Sequence, residues 1–68
     1  MEKVEYLMEK YNKYKENAEQ HEFVNLFMLD MKIEPAYHDL KRNYTEEHAE
    51  IFIKVMTKVL EKLGVDIN

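Results

Sequence analysis

His21, His38 and His48 are the residues of this chain best suited to acid–base or metal chemistry, and their spacing argues against both. Imidazole titrates near neutrality and ligates zinc through either ring nitrogen. Two ligands share a helical face when they stand as His-x-x-x-His or Glu-x-x-His, and neither pair occurs. Glu34 and His38 are four apart, but Pro35 lies between them and is expected to interrupt any helix that would present both. With no cysteine there is neither a thiolate site nor a disulfide framework. No metal and no other cofactor is expected. A pH response is a narrower possibility, because Glu22, Asp39 and Glu47 adjoin the three rings.

Covalent catalysis has little to start from. The chain contains no serine or cysteine, and its hydroxyl nucleophiles reduce to Thr45 and Thr57, the first of which sits where a helix cap is needed. A phosphate-cradling loop needs several glycines, whereas Gly64 stands alone. The paired acids Glu46 and Glu47 are explained by a helix dipole rather than by acid–base work. The chain reads as non-enzymatic, with no small-molecule substrate.

Binding chemistry is better supplied. Five tyrosines and five methionines offer broad, adaptable contact surface. Both residue types are also ordinary core fillers, and that reading is preferred for each tyrosine and for the methionines, Met28, Met31 and Met56 included. Tyr6 lies off the apolar stripe of its segment, and Tyr37 and Tyr44 flank the short segment that follows Pro35.

The elements that must position these groups are helices. Thr45 can cap a helix whose first turn carries Glu46 and Glu47; Ala49, Phe52, Met56, Val59 and Leu63 then recur at steps of three and four. Ile53 and Leu60 widen the stripe on one flank, Ile51 and Val55 on the other. Gly64 can take a left-handed conformation and let Val65 fold back on Leu60, so the helix is expected over Glu46 to Leu63. At the other end, Val4, Leu7, Tyr11, Tyr14 and Ala18 form a second stripe from Glu2 to about Ala18, with a break expected near Asn17 to Gln20. The two stripes suggest that first and last helices pack lengthwise.

Between them, Phe23 to Met31 is apolar nearly all round, so it is expected to be buried, either between the long helices or in a dimer interface. Pro35 is expected to end that segment and to start a short helix from Ala36 to about Arg42.

Composition sets the outer limits. One glycine and one proline are too little turn chemistry for a sandwich or barrel, and 46 % hydrophobic with 35 % charged residues argues for a folded chain. A formal charge of −4 disfavours direct nucleic-acid binding and anionic membranes. No apolar run approaches the length of a membrane span, and the protein is expected to be cytoplasmic. A 68-residue chain has a marginal core of its own, which makes oligomerisation the expected staple.

The sequence therefore predicts an all-α single domain over residues 1–68. Its expected form is a small three- or four-helix bundle with long first and last helices, completed by homodimerisation, most simply as a four-helix bundle of two hairpins. The expected function is that of a non-catalytic regulator, adaptor or inhibitor that binds a protein partner through an apolar and tyrosine-bearing surface. Phe23, Phe27, Met31, Tyr37 and Phe52 are the candidate contact residues. One alternative is an acidic inhibitor that mimics nucleic acid to block a DNA- or RNA-binding protein, using Glu19, Glu22, Asp30, Glu34, Asp39, Glu46, Glu47 and Glu50. The other is a structural subunit of a larger complex.

Overall fold

The computed structural model describes residues 2–67. Three α-helices form: α1, Glu2–Asn17; α2, Phe23–Arg42; and α3, Glu46–Lys62. A 3-10 turn, Gln20–Glu22, leads into α2. The chain is an all-α bundle, with no strand among the described residues. No helix in it is long and apolar enough to cross a membrane.

Each boundary has a local cause. At the end of α1 the Asn17 side-chain amide donates to the Lys13 carbonyl at 2.9 Å, and the Ala18 amide closes a tighter turn on the Lys15 carbonyl at 3.3 Å. This places the break within the expected Asn17 to Gln20 interval. Thr45 is in extended geometry and its Oγ1 accepts from the His48 amide at 3.1 Å, so it caps α3 as its position implies. At the far end of α3, Gly64 has φ of 76°. The Gly64 amide donates to the Glu61 carbonyl and the Val65 amide to the Leu60 carbonyl, the paired bonds of a Schellman motif.

Pro35 does not behave as expected. It lies inside α2, which runs unbroken for 20 residues and is the longest helix, ahead of α3 with 17 and α1 with 16. The expected short helix from Ala36 is the second half of this one, and the first and last helices are not the long ones. Proline removes one amide donor and crowds the carbonyl four residues back. Here Pro35 and Met31 are both exposed, so the crowded carbonyl is on the water side. Ile33 and Leu40 meanwhile anchor the helix to the core on either side of the proline. Tertiary packing therefore outweighs the local preference.

The core is built from one stripe of each helix: Val4, Leu7, Met8 and Tyr11; Leu26, Ile33 and Leu40; and Ala49, Phe52, Met56 and Leu60. In α2 the buried residues are spaced by seven, with Tyr37 and Leu29 half-buried beside them. In α3 the centre of the stripe is displaced from its expected line. Leu60 is fully buried, Val59 and Leu63 are half-buried, and Ile51 and Val55 are exposed.

α1 and α3 make the most extensive helix–helix packing. The Tyr6 hydroxyl reaches the Ile67 carbonyl at 3.4 Å, so the start of α1 lies against the segment that follows α3. α2 and α3 form the helical hairpin, linked through Asn43–Thr45. α1 and α2 do not form one. Tyr11 contacts Leu26 and Asp30, while Lys15, one turn later, contacts Asp30 and Glu34. Tyr14, between them, contacts Glu22 in the turn before α2, so the polar side chains clasp the junction of the two helices instead of zipping one helix along the other. One chain is thus a three-helix unit rather than the single hairpin of the simplest expectation.

Candidate partner-binding surface

The first half of α2 carries apolar residues on both of its sides, and only one side has a neighbour within the chain. Leu26 is 4 % exposed and points to the core. Phe23, Val24, Phe27, Met28 and Met31 are between 59 and 70 % exposed. At 100° per residue Phe23, Phe27 and Met31 form one ladder and Val24 and Met28 a second, together covering an arc of about 140°. The segment expected to be buried between the long helices is therefore uncovered within the chain. The cause is arithmetic, since α1 and α3 already satisfy one another and leave α2 only its core stripe to bury.

The expected contact residues divide into two groups. Phe23, Phe27 and Met31 come together on the outer face of α2. Tyr37 and Phe52 lie on its inner side, where their rings stand 6.0 Å apart at 35° and Phe52 is 8 % exposed. Lys41 holds its ammonium 4.9 Å from the Tyr37 ring. Val24 and Met28 belong to the exposed face although they were not among the expected residues. The signal for them was present in the uninterrupted run from Leu26 to Leu29 and in the position of Val24 one turn before Met28.

On one flank of this face, between the second half of α2 and the first half of α3, lies a cleft of about 260 Å³. Ile33, Ala36, Leu40, Phe52 and Met56 line its apolar part, with the exposed Ile51 and Val55 on the α3 side. Lys32, Asp39, Asn43 and His48 supply its polar groups. Met28 stands one helical turn before Lys32, so the cleft continues the apolar surface rather than opening elsewhere.

The polar cluster of the fold is at the junction of α1 and α2. Tyr11 is fully buried and its hydroxyl donates to Asp30 Oδ1 at 2.9 Å. Lys15 Nζ donates to Asp30 at 3.2 Å and to Glu34 at 3.3 Å, and lies 5.2 Å from the centre of the Tyr11 ring. Burial pushes the Tyr11 phenol well above its ordinary pKa, and the Asp30 carboxylate adds to the shift. At Lys15 burial works against the ammonium, but the Asp30 and Glu34 carboxylates outweigh it and the pKa is raised. Tyr14 is raised in the same way by its 3.0 Å hydrogen bond to Glu22. These groups hold their protons more firmly than usual, which is the behaviour of a structural clasp.

The histidines are dispersed. His21 faces Glu19 at 3.4 Å, His48 Nδ1 lies 3.0 Å from the Thr45 hydroxyl, and His38 borders Tyr37. Because α2 is continuous through Pro35, Glu34 and His38 do occupy one helix, contrary to expectation. Among the described residues no group of three or more histidine, aspartate or glutamate side chains is placed to hold a metal ion. What the surface offers is apolar contact area with polar groups at its edge.

No protein-family model, curated protein or solved structure matches this chain.

Proposed function

We propose that this is a cytoplasmic, non-catalytic interaction protein, a small regulator, adaptor or inhibitor that binds another protein molecule through the outer face of α2. The observation that carries the reading is the exposure of Phe23, Val24, Phe27, Met28 and Met31 on one helical face. Scattered apolar residues on a surface are ordinary, but a contiguous face of two aromatic and three aliphatic side chains has no structural use to the free chain. Phenylalanine supplies large anchors, and methionine adapts to the shape of what it meets. Homodimerisation is one way to cover such a face, and a different protein is the other.

The acidic-mimic alternative draws less support, because much of the acidic set is already engaged. Asp30 and Glu34 hold Lys15, Asp39 holds Arg42 at 2.8 Å, Glu19 faces His21 and Glu22 accepts from Tyr14. Apolar docking and charge mimicry differ in their response to salt, since only the second weakens steeply as salt is raised.

The test pairs capture with substitution. Tagged wild-type chain and the double variant Phe27→Asp, Met31→Asp are compared for the protein molecules each retains, with helicity checked by circular dichroism. Retention by the wild type, loss in the folded double variant and tolerance of raised salt are the expected results. Equal retention by both would remove the α2 face as the binding surface.

A further inference from the structure

Resting on the reading of the α2 outer face as an interface, we propose that Met28 and Met31 make that interface redox-sensitive. Peroxide converts both to sulfoxides in the free chain, and the oxidised face no longer docks. The chain has no cysteine, so its sulfur chemistry rests on methionine alone. Among the described residues the methionines fall into two sets. Met8 and Met56 are 5 and 0 % exposed in the core, whereas Met28 and Met31 are 59 and 65 % exposed on the outer face of α2. Oxidation of a thioether follows access to its sulfur, so a dissolved oxidant meets these two first.

The step asks nothing of the protein beyond that access. A sulfur lone pair attacks one oxygen of hydrogen peroxide, forming the S–O bond as the O–O bond breaks. The departing hydroxide takes the proton left on the transferred oxygen and leaves as water. Sulfur loses two electrons and peroxide gains them, and methionine sulfoxide reductases reverse the change.

The consequence follows from placement. Met28 shares its ladder with Val24, and Met31 shares the other with Phe23 and Phe27, so two sulfoxides put a polar oxygen on each ladder of the face. Buried against an apolar partner surface without a donor, each such oxygen is an unsatisfied acceptor and should weaken docking about 10-fold or more. Neither sulfur lies in the core, so the bundle tolerates the change that its interface does not. A docked partner covers both sulfurs, which confines oxidation to the free chain and bars the oxidised chain from returning.

Tryptic mapping after limited treatment with hydrogen peroxide reads the site. Met28 and Met31 leave together on peptide 16–32, Met8 on peptide 4–10 and Met56 on peptide 55–58. Peptide 16–32 is expected to gain two oxygens about 10-fold or more faster than the other two gain one, because buried sulfurs react only when the fold opens. Helicity should be retained. Retention of the intact chain on a hydrophobic-interaction column should fall on oxidation and return with methionine sulfoxide reductases. The double variant Met28→Leu, Met31→Leu should keep its retention through the same treatment. Equal rates at Met8, Met28, Met31 and Met56, or lost helicity when only Met28 and Met31 are oxidised, overturns the proposal.

The capture experiment separates this proposal from the reading it rests on. Loss of captured protein by the oxidised wild type, with capture kept by peroxide-treated Met28→Leu, Met31→Leu, is expected. Undiminished capture by the oxidised wild type overturns the redox sensitivity and leaves the interface standing, provided that Phe27→Asp, Met31→Asp still fails to capture. Equal capture by untreated wild type and that aspartate variant overturns the interface and its redox sensitivity together, whatever the oxidation map shows.

Discussion

At the scale of single residues the most committed side chain is Tyr11, which is wholly buried yet carries a hydroxyl that must be satisfied. Asp30 accepts that proton, and Lys15 neutralises Asp30, so a polar group enters the core without an orphaned partner. The consequence is an alkaline limit on stability. The folded phenol is raised above its ordinary value of 10.0, and the Lys15 ammonium above 10.5. Above those values the unfolded chain loses protons that the folded chain still binds, so stability falls as pH rises. The urea midpoint is therefore expected to be flat through neutrality and to drop as pH climbs past 10.0, and the slope should be shallower in Tyr11→Phe. At neutral pH the same substitution should cost about 1 kcal/mol, the net worth of one buried hydrogen bond. A slope unchanged in Tyr11→Phe would show that the alkaline loss comes from other groups.

At the scale of elements the helix ends and the proline make separate predictions. Thr45→Ala removes the α3 cap and should lower stability by about 1 kcal/mol, while Thr45→Ser should lose little. Gly64→Ala should cost about 1 kcal/mol through backbone strain alone, because no atom lies within 4 Å of the added methyl position. Pro35→Ala should act in the opposite direction. Restoring an amide donor inside an exposed helix interior is expected to raise stability by about 1 kcal/mol or more. Thermal melts of the four variants check these signs, and a lower melting temperature for Pro35→Ala would mean that the proline serves the fold in a way the exposed position does not suggest.

At the scale of the whole molecule, inner and outer apolar residues should respond differently to substitution. Leu60 is fully buried, and Leu60→Ala is expected to cost about 3 kcal/mol, a large share of the total for a small domain. Phe27→Asp should leave the fold of a single chain intact, because that ring touches mainly water. Melting both variants across a concentration series separates the effects. Loss in Leu60→Ala should persist at every concentration, whereas any loss in Phe27→Asp should appear only where chains associate. The same contrast explains which parts of the molecule could be read early. Thr45, Gly64, the stripes of α1 and α3 and the break after Asn17 were legible because caps, stops and periodicity are local. The clasp of Tyr11, Lys15, Asp30 and Glu34 was not, since it joins residues 15 to 19 positions apart with no short-range signature.

Sequence by itself determined the helical class, both ends of α3, most of the inner residues of α1 and α3, and the apolar excess between Phe23 and Met31. These follow from side-chain period and backbone capping, which act over a few residues. Tertiary structure alone decided that α2 continues through Pro35, that Tyr11 and Lys15 of α1 clasp Asp30 and Glu34, and that the apolar excess of α2 faces outward. Each depends on which surfaces remain after α1 and α3 have packed, and on whether core anchoring at Ile33 and Leu40 outweighs a missing hydrogen bond. Those are balances between distant parts of the chain, and local sequence does not contain them.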